Sequence, residues 1–350
     1  MGLFSKSYSP NSLLVAQSLA FLPRQIEQAW QELKSYRLPP NYQKITNLVV
    51  CGMGGSNLAS EVIRSVFGAE MKLPLTLIRG YNLPGFVSRD TLVIISSYSG
   101  NTEETVSCLK QALDRKAKIF CLAGGGEVIA LAKKARLPYY RFDSKFNPSG
   151  QPRYGLGSQL GALLAIFGKL KIIKVNDRLM SELLTYLDKL NQSFKNYQNN
   201  PAQELAERLY GRSIIVVAAE FLSANAHILA NQINESAKNL AHPYLIPELN
   251  HHLIEGLILP GNVSRQTAVL FLISGVYSPR IYQQFVATEK VLGRQKIKSV
   301  NYFAISENKL FVALETLLVG SWLSWQLGNL NNQDPTSLPY VNYFKQELKK

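Results

Sequence analysis

Two short segments concentrate the chemically capable side chains of this 350-residue chain: Gly52-Met53-Gly54-Gly55-Ser56 and Ser97-Tyr98-Ser99-Gly100-Asn101-Thr102. Gly54 and Gly55 let a backbone come close to a ligand and leave amides exposed at a helix start. Ser56, Ser97, Ser99 and Thr102 put four hydroxyls on the two segments. Hydroxyls combined with helix N-terminal amides hold a phosphate without needing a lysine. The segments are not a P-loop, because the Gly-x4-Gly-Lys-Ser/Thr pattern is absent. Nor are they a dinucleotide fingerprint, because Gly52-Met53-Gly54 runs on as Gly55-Ser56-Asn57 without the third glycine. Singly, each Ser or Thr also fits a helix N-cap and each Gly a turn. Their combination on two successive loops is what points to phosphate.

Other chemistries leave no trace. There are three cysteines, Cys51, Cys108 and Cys121, and no CxxC pair, which excludes a disulfide framework and a cysteine zinc site. A reducing, cytoplasmic setting follows as the expectation. No group of His, Asp and Glu has metal-ligand spacing, and no nicotinamide, flavin or pyridoxal motif appears, so neither metal nor cofactor is expected. His227 and His242 have no motif around them and read as structural. The net charge of +14 asks for an anionic partner, but its lysines and arginines are dispersed. With no like-charge block and no aromatic RNA-binding motif, a phosphorylated small molecule fits and a nucleic acid does not.

The elements that must position the two loops read as α/β. Residues 12–36 carry an amphipathic helical pattern ended by Pro39 and Pro40. Apolar runs at 48–51, 75–78, 91–95 and 118–122 then alternate with helical stretches through Phe67, over 103–113 and over 128–134. Short continuous runs separated by helices predict a parallel sheet covered on both faces. Such a sheet binds ligands beyond the carboxyl ends of its strands, where strand order reverses, and both loops follow strands. The order recurs with strands at 213–218 and 268–273, a helical stretch over 222–240 and another over 280–292. Val49 and Val216 are 167 residues apart and Ser96 and Ser274 are 178 apart, which suggests a duplicated unit. The divide is expected in the polar 191–201 stretch or the helix before it, giving domains of 1–190 (the N-terminal helix plus the first α/β unit) and 191–350. The MGLFSKS start, with Lys6 where a myristoylation signal wants Ser or Thr, contains no targeting segment. The apolar 156–167 stretch is too short to span a membrane. The 310–327 stretch carries Glu315, Ser321, Ser324 and Gln326, so it reads as a helix buried in a core or subunit interface.

The segments Gly52–Ser56 and SYSGNTEET, starting at Ser97, resemble the sugar isomerase (SIS) domain, which binds phosphosugars. Asn231-Gln232-Ile233-Asn234-Glu235-Ser236-Ala237-Lys238, Pro247-Glu248-Leu249-Asn250-His251 and the closing Asp334-Pro335 … Phe344-Lys345 narrow the likeness. From about residue 45 to the end, the chain resembles the bifunctional phosphoglucose/phosphomannose isomerase family. The resemblance implies two flavodoxin-like SIS domains in a homodimer with shared active sites, without metal or cofactor. It also implies isomerisation of glucose 6-phosphate and mannose 6-phosphate to fructose 6-phosphate.

An aldose–ketose isomerase opens the ring, then moves a proton between C2 and C1 through a cis-enediolate. By the resemblance Glu235 is the base that takes and returns the proton, and His251 opens the ring. Arg153 steadies the enediolate charge and Lys345 assists ring opening. The residues admit plainer readings too. Glu235 fits a helix-surface partner of Lys238, His251 a polar turn, and Arg153 and Lys345 solvated surface cations. The family commonly reads Asn-His-Asn-Glu where this chain has Asn250-His251-His252-Leu253, with Glu255 two residues on. Two alternatives follow: a non-catalytic phosphosugar sensor, or an SIS isomerase of different sugar-phosphate specificity.

Overall fold

The computed structural model describes residues 8–348 and 350; the MGLFSKS start and Lys349 lie outside the described residues. The described chain forms two compact units, Ala20–Lys189 and the residues from Leu190 onward, with residues 8–19 belonging to the second. The single helix expected over 12–36 is two: α1 (Pro10–Ala20) and α2 (Leu22–Lys34). Pro23 explains the break. It has no N–H to continue the ladder of α1, but sits without penalty in the first turn of α2. The N-terminal helix expected to accompany the first α/β unit therefore contributes to both units.

The first unit contains β1 (Asn47–Cys51), α3 (Gly55–Phe67), β2 (Leu75–Ile78), β3 (Thr91–Ser97), α4 (Glu103–Asp114), β4 (Lys118–Ala123), α5 (Gly126–Lys134), β5 (Tyr139–Arg141), α6 (Leu156–Lys169) and α7 (Asp177–Asn191). Its sheet runs β2-β1-β3-β4-β5, with every pair parallel. Every residue of β3 and β4 is buried, so both faces of the centre are covered and the apolar runs are continuous rather than alternating. Each fully buried Leu or Ile of this core contributes about 1.5–3 kcal/mol. Helix α6 buries nearly its whole surface and packs on α2. Glycines make that approach possible, since a Cβ at Gly161 would stand 2.3 Å from the carbonyl oxygen of Ile26.

The second unit contains α8 (Pro201–Leu209), β6 (Ser213–Ala219), α9 (Ser223–Gln232), β7 (Ala241–Ile246), α10 (Leu253–Gly256), α11 (Val263–Gln266), β8 (Thr267–Ser274), α12 (Pro279–Arg294), β9 (Lys298–Ala304), α13 (Lys309–Leu330) and α14 (Pro339–Glu347). Its parallel sheet runs β7-β6-β8-β9. Counted within each unit, both sheets read 2-1-3-4, and the first adds a fifth strand. This is the doubly wound flavodoxin-like order, met twice. The helix expected over 222–240 is shorter. Helix α9 stops at Gln232, one π turn follows over Ile233–Ala237, and Lys238 turns the chain at φ 51° into β7. Helix α13 is long and apolar enough to cross a membrane, the one such helix among the described residues, but 94% of that window is buried. It packs on α8, α9 and the π turn, and on α1, where Trp325 Nε1 donates to the carbonyl of Ser12 at 2.9 Å.

Candidate active site

In the first unit β1 and β3 are neighbours in register, Cys51 opposite Ile95, so the loops leaving their carboxyl ends lie side by side at the point where strand order reverses. Hydrogen bonds join them. Ser96 Oγ donates to the carbonyl of Ser56 at 2.7 Å, and Ser56 Oγ accepts from the amide of Tyr98 at 2.8 Å. Gly52 has no room for a side chain, because a Cβ would meet both Ser56 O and Ser96 O at 3.0 Å. Ser97 is fully buried. Its hydroxyl lies 3.0 Å from that of Thr102 and accepts the Gly100 amide at 3.0 Å. Gly100 is required as glycine, since at φ +76° a Cβ would fall 1.8 Å from the carbonyl oxygen of Gly125. Ser99 faces solvent, its Oγ accepting only a 3.2 Å bond from the Asn101 amide.

Arg153 joins this group. It is 3% exposed, donates to Gln151 Oε1 at 3.1 Å, and lies 5.1 Å above the Tyr154 ring. Its backbone abuts the first loop: a Cβ on Gly55 would stand 3.2 Å from the Arg153 nitrogen. A cleft of about 660 Å³ is lined by Tyr98 and Ser99 of the second loop, by Gly124, by the Arg141–Ser144 segment, and by Gly150 and Pro152. Tyr98, Arg141 and Asn147 are absent from the sequence-predicted set. Asn147 Nδ2 donates to Tyr98 Oη at 2.6 Å. Burial raises the Tyr98 phenol above the usual tyrosine range, and the Asn147 bond opposes that shift. Arg141 ends β5, a three-residue strand with no apolar run to announce it.

The remaining predicted residues belong to the second unit. Glu235 sits half-buried on the π turn, whose position is set by its neighbour. Asn234 grips the first residue of β7 from both sides, donating to Ala241 O at 2.7 Å and accepting from Ala241 N at 3.0 Å. Lys238 Nζ donates to the carbonyls of Glu235 and Asp334, at 2.5 and 3.2 Å. His251 ends the short 3-10 turn Glu248–His251 and is exposed. Asn250 beside it accepts from Thr288 Oγ1 of α12 at 2.8 Å. His252 is also exposed, 3.9 Å from the Glu248 carboxylate. Glu235 precedes β7 and His251 follows it in the chain, and past Ile246 the chain turns back beside the strand, with the His252 ring 6.2 Å from that of Tyr244. Lys345 lies on α14, every residue of which is exposed. His227 pairs with Asn231 at 3.1 Å, and His242 is exposed on β7. Among the described residues no three His, Cys, Asp or Glu side chains group as a metal site would require.

Residues 198–348 match the model of the bacterial phospho-glucose isomerase C-terminal SIS domain. A bifunctional phosphoglucose/phosphomannose isomerase of Caldicellulosiruptor bescii is 29% identical over 341 residues, covering 95% of this chain and 98% of that one. Another protein of that name, from Thermoplasma volcanium, is 30% identical over 311 residues, covering 87% and 92%. The chain belongs to this family. Among solved structures, a hypothetical protein of Thermus thermophilus superposes with a TM-score of 0.75 at 17% identity, covering 98% of this chain and 91% of that one, which concerns the fold alone. As a bifunctional phosphoglucose/phosphomannose isomerase family member, the chain sorts its predicted residues into two sets. Gly54, Gly55, Ser56, Ser97, Ser99, Thr102 and Arg153 are gathered in the first unit. Glu235, on the π turn before β7, and His251, on the 3-10 turn after it, belong to the second, as does Lys345 on its exposed helix α14.

Proposed function

We propose that the protein interconverts glucose 6-phosphate and mannose 6-phosphate with fructose 6-phosphate by proton transfer through a cis-enediolate. Family membership along both units carries the reading. The phosphate is held by the hydroxyls of Ser97, Ser99 and Thr102, with Ser56 and the Gly54–Gly55 backbone closing the cradle. His251 moves the hemiacetal proton so that the ring opens, with Lys345 assisting. Glu235 then takes the proton from C2 and returns it to C1, while Arg153 stabilises the enediolate oxygens. The enediolate has lost the stereocentre at C2, so two aldoses epimeric at that carbon share one intermediate.

By the family resemblance, Glu235 works with His251 of the partner subunit in a homodimer. The distribution of apolar surface supports such an assembly. Of the eighteen large apolar side chains exposed among the described residues, only Tyr81 and Phe86 belong to the first unit. The three free, buried cysteines suit a reducing cytoplasm. The non-catalytic sensor reading draws on the 250–253 departure and on the exposure of His251. One assay separates the two: purified protein is incubated with each hexose 6-phosphate and fructose 6-phosphate is followed. Turnover supports the isomerase, and tight binding without turnover replaces it by the sensor.

A further inference from the structure

Tyr98 stands between two residues assigned to the phosphate, yet its own side chain points away from the hydroxyl turn into another segment. Its amide donates to Ser56 Oγ at 2.8 Å, and its carbonyl accepts from the Gly124 amide at 3.2 Å. The phenol oxygen accepts from Asn147 Nδ2 at 2.6 Å. Asn147 is 3% exposed, and the same Nδ2 also donates to the carbonyl of Gln151 at 2.9 Å. The Gln151 side chain accepts from Arg153 Nη1 at 3.1 Å. The ring is equally constrained: a Cβ on Gly155, two residues past Arg153, would lie 2.4 Å from Tyr98 Cε2. One residue thus touches the first loop, forms the second, and braces both ends of the arginine segment.

We infer that Tyr98, through Asn147, is the positioning residue that couples phosphate seating to the placement of Arg153. This rests on the isomerase reading above. A phosphate settling on the Ser97–Thr102 turn fixes the backbone of Tyr98. The rigid ring and its part-buried hydrogen bond then hold the 147–155 segment in the register that presents the guanidinium. Binding energy from the non-reacting phosphate is in this way spent on orientation at the reacting carbons. A ring is suited to the task because it has few rotamers, and the 2.6 Å bond ties it to Asn147, itself 3% exposed.

The test is Tyr98→Phe, which keeps the ring against Gly155 and deletes only the oxygen. The expected result is a kcat reduced by about ten- to a hundredfold with KM within about twofold of wild type. The affinity for 5-phosphoarabinonate, whose carboxylate mimics the enediolate, falls by a similar factor, while inorganic phosphate binds as in wild type. Asn147→Ala should give the same pattern, and the double variant should lose no more than either single one, because both break one link. Undiminished kcat in Tyr98→Phe, multiplicative losses in the double variant, or a loss confined to KM and phosphate affinity would each overturn the inference. A wild-type protein that turns over neither sugar would instead remove the isomerase reading, and this role for Tyr98 with it.

Discussion

Ser97 and Ser99 look equivalent in the sequence, but the structure predicts that replacing them has different consequences. Ser99 is exposed and its hydroxyl accepts one long local bond, so Ser99→Ala removes a ligand for phosphate and little else. A hydrogen bond to a charged group is worth about 1.5–3 kcal/mol, which raises KM and the dissociation constant of inorganic phosphate about ten- to a hundredfold. Thermal stability should stay within about 0.5 kcal/mol of wild type. Ser97 is fully buried, and its oxygen is the acceptor for the Gly100 amide as well as the partner of Thr102. Ser97→Ala therefore loses a phosphate ligand and also strands a buried N–H, at about 1–3 kcal/mol. For a unit of this size that lowers Tm by about 2–12 °C. Differential scanning fluorimetry, isothermal titration with phosphate and steady-state kinetics on the two single variants read out the contrast. If Ser99→Ala leaves both KM and phosphate affinity untouched, the cradle lies elsewhere. If Ser97→Ala is as stable as wild type, the account of the turn is wrong.

Glu235→Gln should keep the fold and phosphate binding while lowering kcat by about two to four orders of magnitude; near-normal turnover, with solvent deuterium still entering the sugar at C1 or C2, would remove Glu235 as the base. Glu235→Gln and His251→Ala proteins, each nearly inactive alone, should regain about a quarter of wild-type activity after refolding as a mixture, because half the dimers are mixed and each then has one intact composite site. No recovery in mixed dimers confirmed by mass would show that both residues serve from one chain. Asp334 tests the electrostatics of the second unit. Burial raises its carboxyl, but bonds from Thr336 and Asn11 and the charge of Lys238 outweigh that and hold it below the ordinary range. A depressed folded pKa stabilises fully above the unfolded value of about 3.9 and ceases to as pH falls through the lower folded value. Asp334→Asn should thus cost about 1 kcal/mol near neutrality, shrinking toward zero below about pH 4 in urea melts. A difference that persists unchanged into acid would contradict the assignment.

The central strands β1, β3, β4, β6 and β8 were legible because a parallel strand buried on both faces must be an unbroken apolar run, a signal contained within five to eight consecutive residues. The two hydroxyl loops were legible for a related reason: they follow those runs immediately, and their glycines and hydroxyls are rare in that density. The strands that escaped, β5, β7 and β9, are edge strands. β7 and β9 leave several residues exposed, such as His242, Pro243 and Leu245 of β7, and β5 is only three residues long, so none shows a continuous run. The helical reading of 222–240 ran past its end because nothing local marks the stop. Asn234 ends it by reaching the backbone of Ala241, and a strand must already be there to be reached.

The loops that could bind phosphate were legible in the sequence itself, as were the α/β class and its repetition, since each depends on residue type and short spacing. The proposed proton carriers Glu235 and His251 were instead named by family resemblance. What only the tertiary structure decided concerns partners distant along the chain. It separated Ser97 from Ser99 by burial, and set Glu235 before and His251 after a strand, β7, that the sequence had not revealed. It assigned the first helix to the second unit, and brought Tyr98 to Asn147 across 49 residues. The physical reason is the same in each case. A buried hydrogen bond or a glycine-sized contact is specified by where two backbones run, and that becomes fixed only when the sheet has assembled and its helices have packed on it.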